Sequence, residues 1–190
     1  CNAENVFNIA IKGSFDDCQR IVKDMFVDQD FANKINMSGV NSINWARIIA
    51  QIVYYFFIYY KFNNSKKPIV VSVPTGNFGD IYAGYVAKQM GLNIKELIVA
   101  TNQNNILQRC INTGEYKPLD VAESISPSMD IQVASNFERI LFYLCNENAE
   151  DLKKLMNDLK TKGYFKLSKK QLENLRDHFS ASSCSEDETL

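Results

Sequence analysis

The chain has 190 residues, with 21 Lys and Arg against 22 Asp and Glu and a net charge of −1. That balance shows no basic excess and so disfavours nucleic acid and an anionic membrane as partners. With 46% hydrophobic and 23% charged residues, the composition is that of a globular protein of one large or two small domains.

Residues 6–13, VFNIAIKG, alternate in polarity and predict a strand. Residues 14–31 predict a helix. Ser14 can cap it, Asp16 and Asp17 lie in the first turn where the dipole favours anions, and Ile21, Val22, Met25 and Phe26 form an apolar stripe. Residues 41–62, NSINWARIIAQIVYYFFIYYKF, predict a long helix capped by Asn41 or Ser42. Its second half is apolar nearly all round, which predicts deep burial. The apolar stretch 48–60 is too short for a bilayer and holds Gln51. NNSKKP (63–68) is a polar linker closed by proline, and the chain is expected to divide there into two bodies.

IVVSV (69–73) is a continuous apolar run, as in a parallel strand buried on both faces. A helix is predicted over 78–90 with Gly91 as its C-cap, then a strand over 96–101, ELIVAT. Strand, helix and strand with short links make a βαβ unit and so a parallel sheet. A helix over 104–112 ends near Gly114, and 117–130 read as irregular. Helices follow over 132–146, 149–162 and 168–179, the last opened by a Ser168–Gln171 capping box. A further capping box, Ser185 with Glu188, should open a helix just before residue 190. Together with Cys1 in the first position, it gives the expectation that the chain is a stretch of a longer protein.

Cys1, Cys18, Cys110, Cys145 and Cys184 are scattered, odd in number and without a CxxC pair. His178, the single histidine, completes no familiar zinc set with them. Free thiols in a reducing, cytoplasmic setting and no metal are the expectation.

The segment PTGNFGD (74–80) interrupts this pattern. A helix N-terminus carries unpaired N–H groups and partial positive charge. Gly76 and Gly79 let the backbone approach a phosphate there, Asn77 can cap the helix with Asp80 as its acidic partner, and Thr75 offers a hydroxyl. The loop stands at the carboxyl end of a parallel strand, where open α/β sheets bind ligands. It is neither GxGxxG nor a P-loop, so dinucleotides and nucleoside triphosphates have no support. The same geometry also serves a tight turn that binds nothing.

PTGNFGDIYAGYVAKQMGLNIKELIVATNQNNIL (74–107) resembles the threonine synthase family, pyridoxal-phosphate (PLP) enzymes of fold type II. GSFDDCQRIVKDMF (13–26), VNSINWARIIAQIVYYFFIYY (40–60) and SPSMDIQVASNFERILFYL (126–144) resemble it in the same order. The resemblance implies an α/β, three-layer fold with a parallel sheet and flanking helices. It places residues 1–65 in the C-terminal half of a smaller inserted domain and 66–190 in the large PLP-binding domain. It implies a lyase that converts O-phosphohomoserine and water into threonine and phosphate. Gly76, Asn77, Phe78, Gly79 and Asp80 would then cradle the cofactor phosphate.

In the family, NSINWAR borders the active-site cleft, so Ser42, Asn44 and Arg47 are substrate candidates, with capping and a structural ion pair as the alternative. Thr101 and Asn102 leave the second strand toward the same crevice, or cap the next helix at Asn102 or Asn104. In SNFER, Ser135 and Glu138 have capping-box spacing, and Arg139 serves as an ion-pair partner. The family's Schiff-base lysine lies in an aromatic-Lys-Asp segment. Lys61, Lys117 and Lys166 lack that context here, so the chain alone is expected to be inactive. A phospho-lyase relative acting on similar substrates, or a truncated product without chemistry, are the rival readings. A small-molecule substrate and self-association through an exposed sheet edge are the expected partnerships.

Overall fold

The computed structural model describes residues 3–13, 15–39, 41, 43–62 and 67–189. The chain divides into two compact units, Cys1–Ser38 and Gly39–Leu190. The division therefore falls at 38/39, whereas most of the polar linker 63–68 lies outside the described residues.

In the first unit, the single helix expected over 14–31 is two: α1 (Phe15–Val27) and α2 (Gln29–Lys34). The break is at Asp28, whose carboxylate accepts the Phe31 N–H at 3.0 Å and caps a new helix. Ser14, the expected cap of α1, lies outside the described residues. Residues 6–11 are not a strand; they carry no regular structure, and Phe7 and Ile9 are each 82% exposed. Alternation makes a strand only where a neighbouring strand takes up its hydrogen bonds, and the described residues supply none here.

The second unit follows the order α3 (Trp45–Phe62), β1 (Ile69–Pro74), α4 (Gly79–Gln89), β2 (Ile94–Thr101) and α5 (Ile106–Thr113). After these come β3 (Glu115–Tyr116), α6 (Phe137–Leu144), α7 (Ala149–Lys162), β4 (Phe165–Lys166), α8 (Lys169–Arg176), β5 (Phe179–Ser183) and α9 (Glu186–Thr189). The larger described sheet is parallel, in the order β1-β2-β5, with helices packed on it, and β3 and β4 pair antiparallel in a second, two-stranded one. The last strand is a correction: the helix expected over 168–179 stops at Arg176, and FSASS pairs with β2 from Leu97–Phe179 to Thr101–Ser183. The helix expected over 132–146 likewise begins only at Phe137. The capping boxes at Ser168–Gln171 and Ser185–Glu188 both form.

β1 is not buried on both faces. Only Val73 is fully buried and Val70 is 49% exposed, because β1 stands at the edge of the described sheet. α3 is corrected in the same way. Ile48, Ile52, Tyr55 and Tyr59 form one buried stripe, while Val53, Tyr54, Phe57 and Tyr60 are exposed. The helix packs on α4, and the contact is close because Gly84 has no side chain. A Cβ there would stand 2.6 Å from Tyr55 Cε1.

The core between sheet and helices is aromatic as well as aliphatic. Tyr116 stacks on Phe165 at 4.9 Å and on Phe137 at 5.3 Å, and Phe137 meets Phe78 at 5.1 Å. The His178 ring lies edge-on to Tyr85, and burial holds its pKa below the ordinary value. Among the described residues, no helix is long and apolar enough to cross a membrane, no acid, His and Cys cluster could hold a metal ion, and Cys18, Cys110, Cys145 and Cys184 are free thiols.

Candidate functional site

β1 and β2 reach their carboxyl ends together, with Pro74 opposite Ala100. One residue further, the Thr75 N–H donates to the Ala100 carbonyl at 2.7 Å. The Thr75 side chain is buried and its hydroxyl donates to Val73 O at 2.6 Å, so that proton is committed to the strand and is not offered to a ligand. The chain then bends through Gly76 and Asn77. Phe78 is the N-cap of α4, with a left-handed backbone at φ 62° and no side-chain cap bond.

Asn77 therefore does not cap α4. Its backbone carbonyl accepts the Asn136 N–H at 3.0 Å, and its side-chain Oδ1 accepts the Ser135 hydroxyl at 3.3 Å. Asp80 is the second residue of α4, and the Tyr55 hydroxyl donates to its carbonyl at 2.9 Å and to its carboxylate at 3.2 Å. Burial holds the Asp80 carboxyl above the usual carboxylate range, with the Tyr55 bond pulling the other way. Burial and the neighbouring Asp80 push the Tyr55 phenol up.

No acceptor among the described residues takes the backbone N–H of Gly76, Asn77, Phe78, Gly79 or Asp80. Five successive amides at a helix start are thus free to meet an anion. The glycines have a second role. A Cβ on Gly76 would lie 2.8 Å from Ile131 Cδ1 and 3.3 Å from Ser128 O, and one on Gly79 would lie 3.3 Å from Asn136 Nδ2. Their bareness lets the 128–136 segment close against the loop.

The sequence predicts an irregular run to residue 130, a helix from 132 and a Ser135–Glu138 capping box here. The box does not form: Asn136 is the N-cap of α6, and Ser135 turns to Asn77 instead. Arg139 does more than pair a charge. Its Nε donates to Asn136 Oδ1 at 2.9 Å, its Nη2 donates to Ile43 O at 2.9 Å, and its guanidinium lies 5.3 Å from the Trp45 ring centroid. It ties the start of α3 to the residue that holds Asn77.

The substrate candidates divide. At the start of α3, Asn44 Oδ1 accepts the Ala46 N–H at 2.9 Å and its amide donates to Gly39 O, while Asn41 Oδ1 accepts the Ile43 N–H at 3.1 Å. Arg47 is exposed in the first turn, and Ser42 lies outside the described residues. Thr101 and Asn102 stand at the same sheet end as residues 76–80. Thr101 is buried, with its hydroxyl donating to Ser182 O at 3.4 Å.

Asn102 belongs to a buried polar knot, and neither it nor Asn104 caps α5, whose N-cap is Asn105. Asp130, 8% exposed, accepts at Oδ1 from Asn102 Nδ2 (2.8 Å), Asn104 Nδ2 (3.0 Å) and Ser124 Oγ (2.7 Å), and at Oδ2 from the Ser124 N–H (2.9 Å). Asn104 also exchanges two bonds with the Ala122 backbone. The sequence signal for this knot was an acid in an apolar context after SPSM, three residues C-terminal to a proline.

No family model matches the chain. It is 47% identical to threonine synthase of Saccharomyces cerevisiae over 198 aligned residues, covering 98% of this chain and 38% of that protein. It is 46% identical to threonine synthase of Pseudomonas aeruginosa, covering 98% of this chain and 40% of that protein. A crystal structure of PLP-bound threonine synthase from Brucella melitensis superimposes with a TM-score of 0.88 at 50% identity, over 99% of this chain and 40% of that one. Sequence and fold together place the chain in the threonine synthase family, as a stretch spanning about two-fifths of the length of the relatives it matches.

Proposed function

We propose that this chain is the phosphate-binding part of a PLP-dependent enzyme that converts O-phosphohomoserine and water into threonine and phosphate. The observation that carries the reading is the run of unpaired amides from Gly76 to Asp80 at the start of α4, beside the carboxyl ends of β1 and β2. These amides would hold the cofactor phosphate, with bonds to a charged group worth roughly 1.5–3 kcal/mol each. When bound, PLP supplies an electron sink for the carbon chemistry of the substrate.

The chain's own residues bind and orient. Phe78 fixes the bend of the loop, Asn77 is held by Ser135 and Asn136, and Asp80 is fixed by Tyr55. Arg47, exposed at the N-terminal turn of α3, would offer its guanidinium to a substrate anion, with Asn44 shaping that turn and Ser42 nearby in sequence. Thr101 and Asn102 shape the crevice at the end of β2, since their side chains are engaged within the protein.

The test uses the full-length protein and compares PLP with pyridoxal, which lacks the phosphate. PLP should bind at least about 100-fold more tightly, the loss expected from roughly two charge-assisted bonds. Gly79→Val should close most of that gap while the circular dichroism spectrum is kept. Phosphate release from O-phosphohomoserine should fall in parallel. Equal affinities for PLP and pyridoxal in the parent protein overturn the assignment of the loop.

A further inference from the structure

The Asp130 carboxylate is buried, and no cation is among the four groups that donate to it. A buried carboxylate is costly unless its lone pairs are taken up. Here they are, by side chains from the link after β2 and by the backbone and hydroxyl of Ser124. Two distant stretches of chain, 102–104 and 124, therefore converge on the Asp130 side chain.

The next residue packs against the start of the loop. Ile131 is 2% exposed, and its Cδ1 stands where a side chain on Gly76 would be. Ser128 O, on the 3₁₀ turn Pro127–Met129, completes the contact. The Asp130 bonds pin this turn from one side while Ile131 presses on Gly76 from the other. The first of the unpaired amides belongs to Gly76.

We propose that Asp130 is a positioning residue for the phosphate loop: through Ile131 against Gly76 it sets the direction of the loop amides. The proposal rests on the cofactor reading above. Asp130 itself meets no ligand. Its effect belongs to the phosphate half of the cofactor, so it should be visible in the ratio of PLP to pyridoxal affinity and not in the binding of the ring.

The experiment is a double-mutant cycle in the full-length protein with Asp130→Asn and Ile131→Ala. Asp130→Asn replaces one accepting oxygen by an NH2 group, so that a donor faces a donor at that position. Each single variant should weaken PLP by about tenfold or more and change pyridoxal binding by less than about twofold. The double variant should be little worse than the weaker single, since residues acting through one contact are not additive. Ser124→Ala, which removes the hydroxyl bond to Asp130 together with those the hydroxyl accepts from Asn102 Nδ2 and the Ser126 N–H, and keeps the backbone bond to Asp130, should shift the same ratio by about threefold or more and serves if Asp130→Asn does not fold. An equal loss for both ligands, additive effects in the cycle, or an unchanged ratio overturns the proposal. Equal affinity of the parent for PLP and pyridoxal removes the loop reading first and this inference with it.

Discussion

The ring of Phe78 meets the ring of Phe137 edge to face at 5.1 Å, while the backbone of Phe78 itself is left-handed at φ 62°. A bulky residue held in that region costs about 1–2 kcal/mol. The cost is offset by burial: the ring is fully enclosed and also meets Phe179 at 5.3 Å. The aromatic core thus holds the bend that carries the unpaired loop amides.

Phe78→Ala should therefore lower stability by about 3–5 kcal/mol, the range for deleting a buried phenyl ring. It leaves a Cβ in the left-handed region, so it relieves none of the backbone cost. Urea unfolding followed by circular dichroism reads the loss, and PLP affinity should fall with it. A shift under about 1 kcal/mol would show that the ring does not carry the loop.

Gly84→Ala should destabilise even though alanine favours helix by up to about 1 kcal/mol. The added Cβ would stand 2.6 Å from Tyr55 Cε1 and 3.0 Å from Leu97 Cδ2. Tyr55 cannot swing away without giving up its bonds to Asp80. A net loss of about 1–3 kcal/mol is expected from such overpacking, measured as a lower urea midpoint at an unchanged slope. A raised midpoint would mean that α3 and α4 separate freely.

Asp80 gives a pH dependence with a definite sign. Burial raises its folded pKa, so from about 4 upward the folded chain holds the proton more tightly than the unfolded one. Stability contributed by this group then falls as pH rises through that window, and the penalty is complete above the folded pKa. Asp80→Asn should remove it. The variant should melt about 1–3 °C higher than the parent at neutral pH, a small shift because the carboxyl is partly screened by solvent. Near pH 3 the two should coincide. A variant that melts lower than its parent at pH 7 would contradict this.

Much of this architecture was legible in the sequence, and the limits have physical causes. The βαβ unit from Ile69 to Thr101 could be read because its apolar run, glycine turn and helix-like pattern are local signals. Gly114 and Gly163 end their helices at φ 78° and 80°, as a glycine after a helical pattern suggests. β5 was not legible, because FSASS is small and polar and becomes a strand only by pairing with β2. The exposed half of α3 was missed because all-round apolarity states what a helix can bury, not what is beside it. The 76–80 loop stood out through its glycines. Asp130 and Arg139 did not, because their partners lie in distant stretches of sequence.

The pairing of β2 with β5 also sets a timetable. Leu97 finds Phe179 across about 80 intervening residues, whereas β1 finds β2 across a single short helix. Closing the longer loop costs more chain entropy and comes later. On the ribosome, β1, α4 and β2 can assemble while the chain through Phe179 is still being made. Until then one side of β2 stands open, with Leu97 and Val99, buried in the finished fold, within reach of other nascent strands. A rare-codon pause placed before residue 179 would lengthen that interval, and a chaperone that shields a bare strand would find its substrate there.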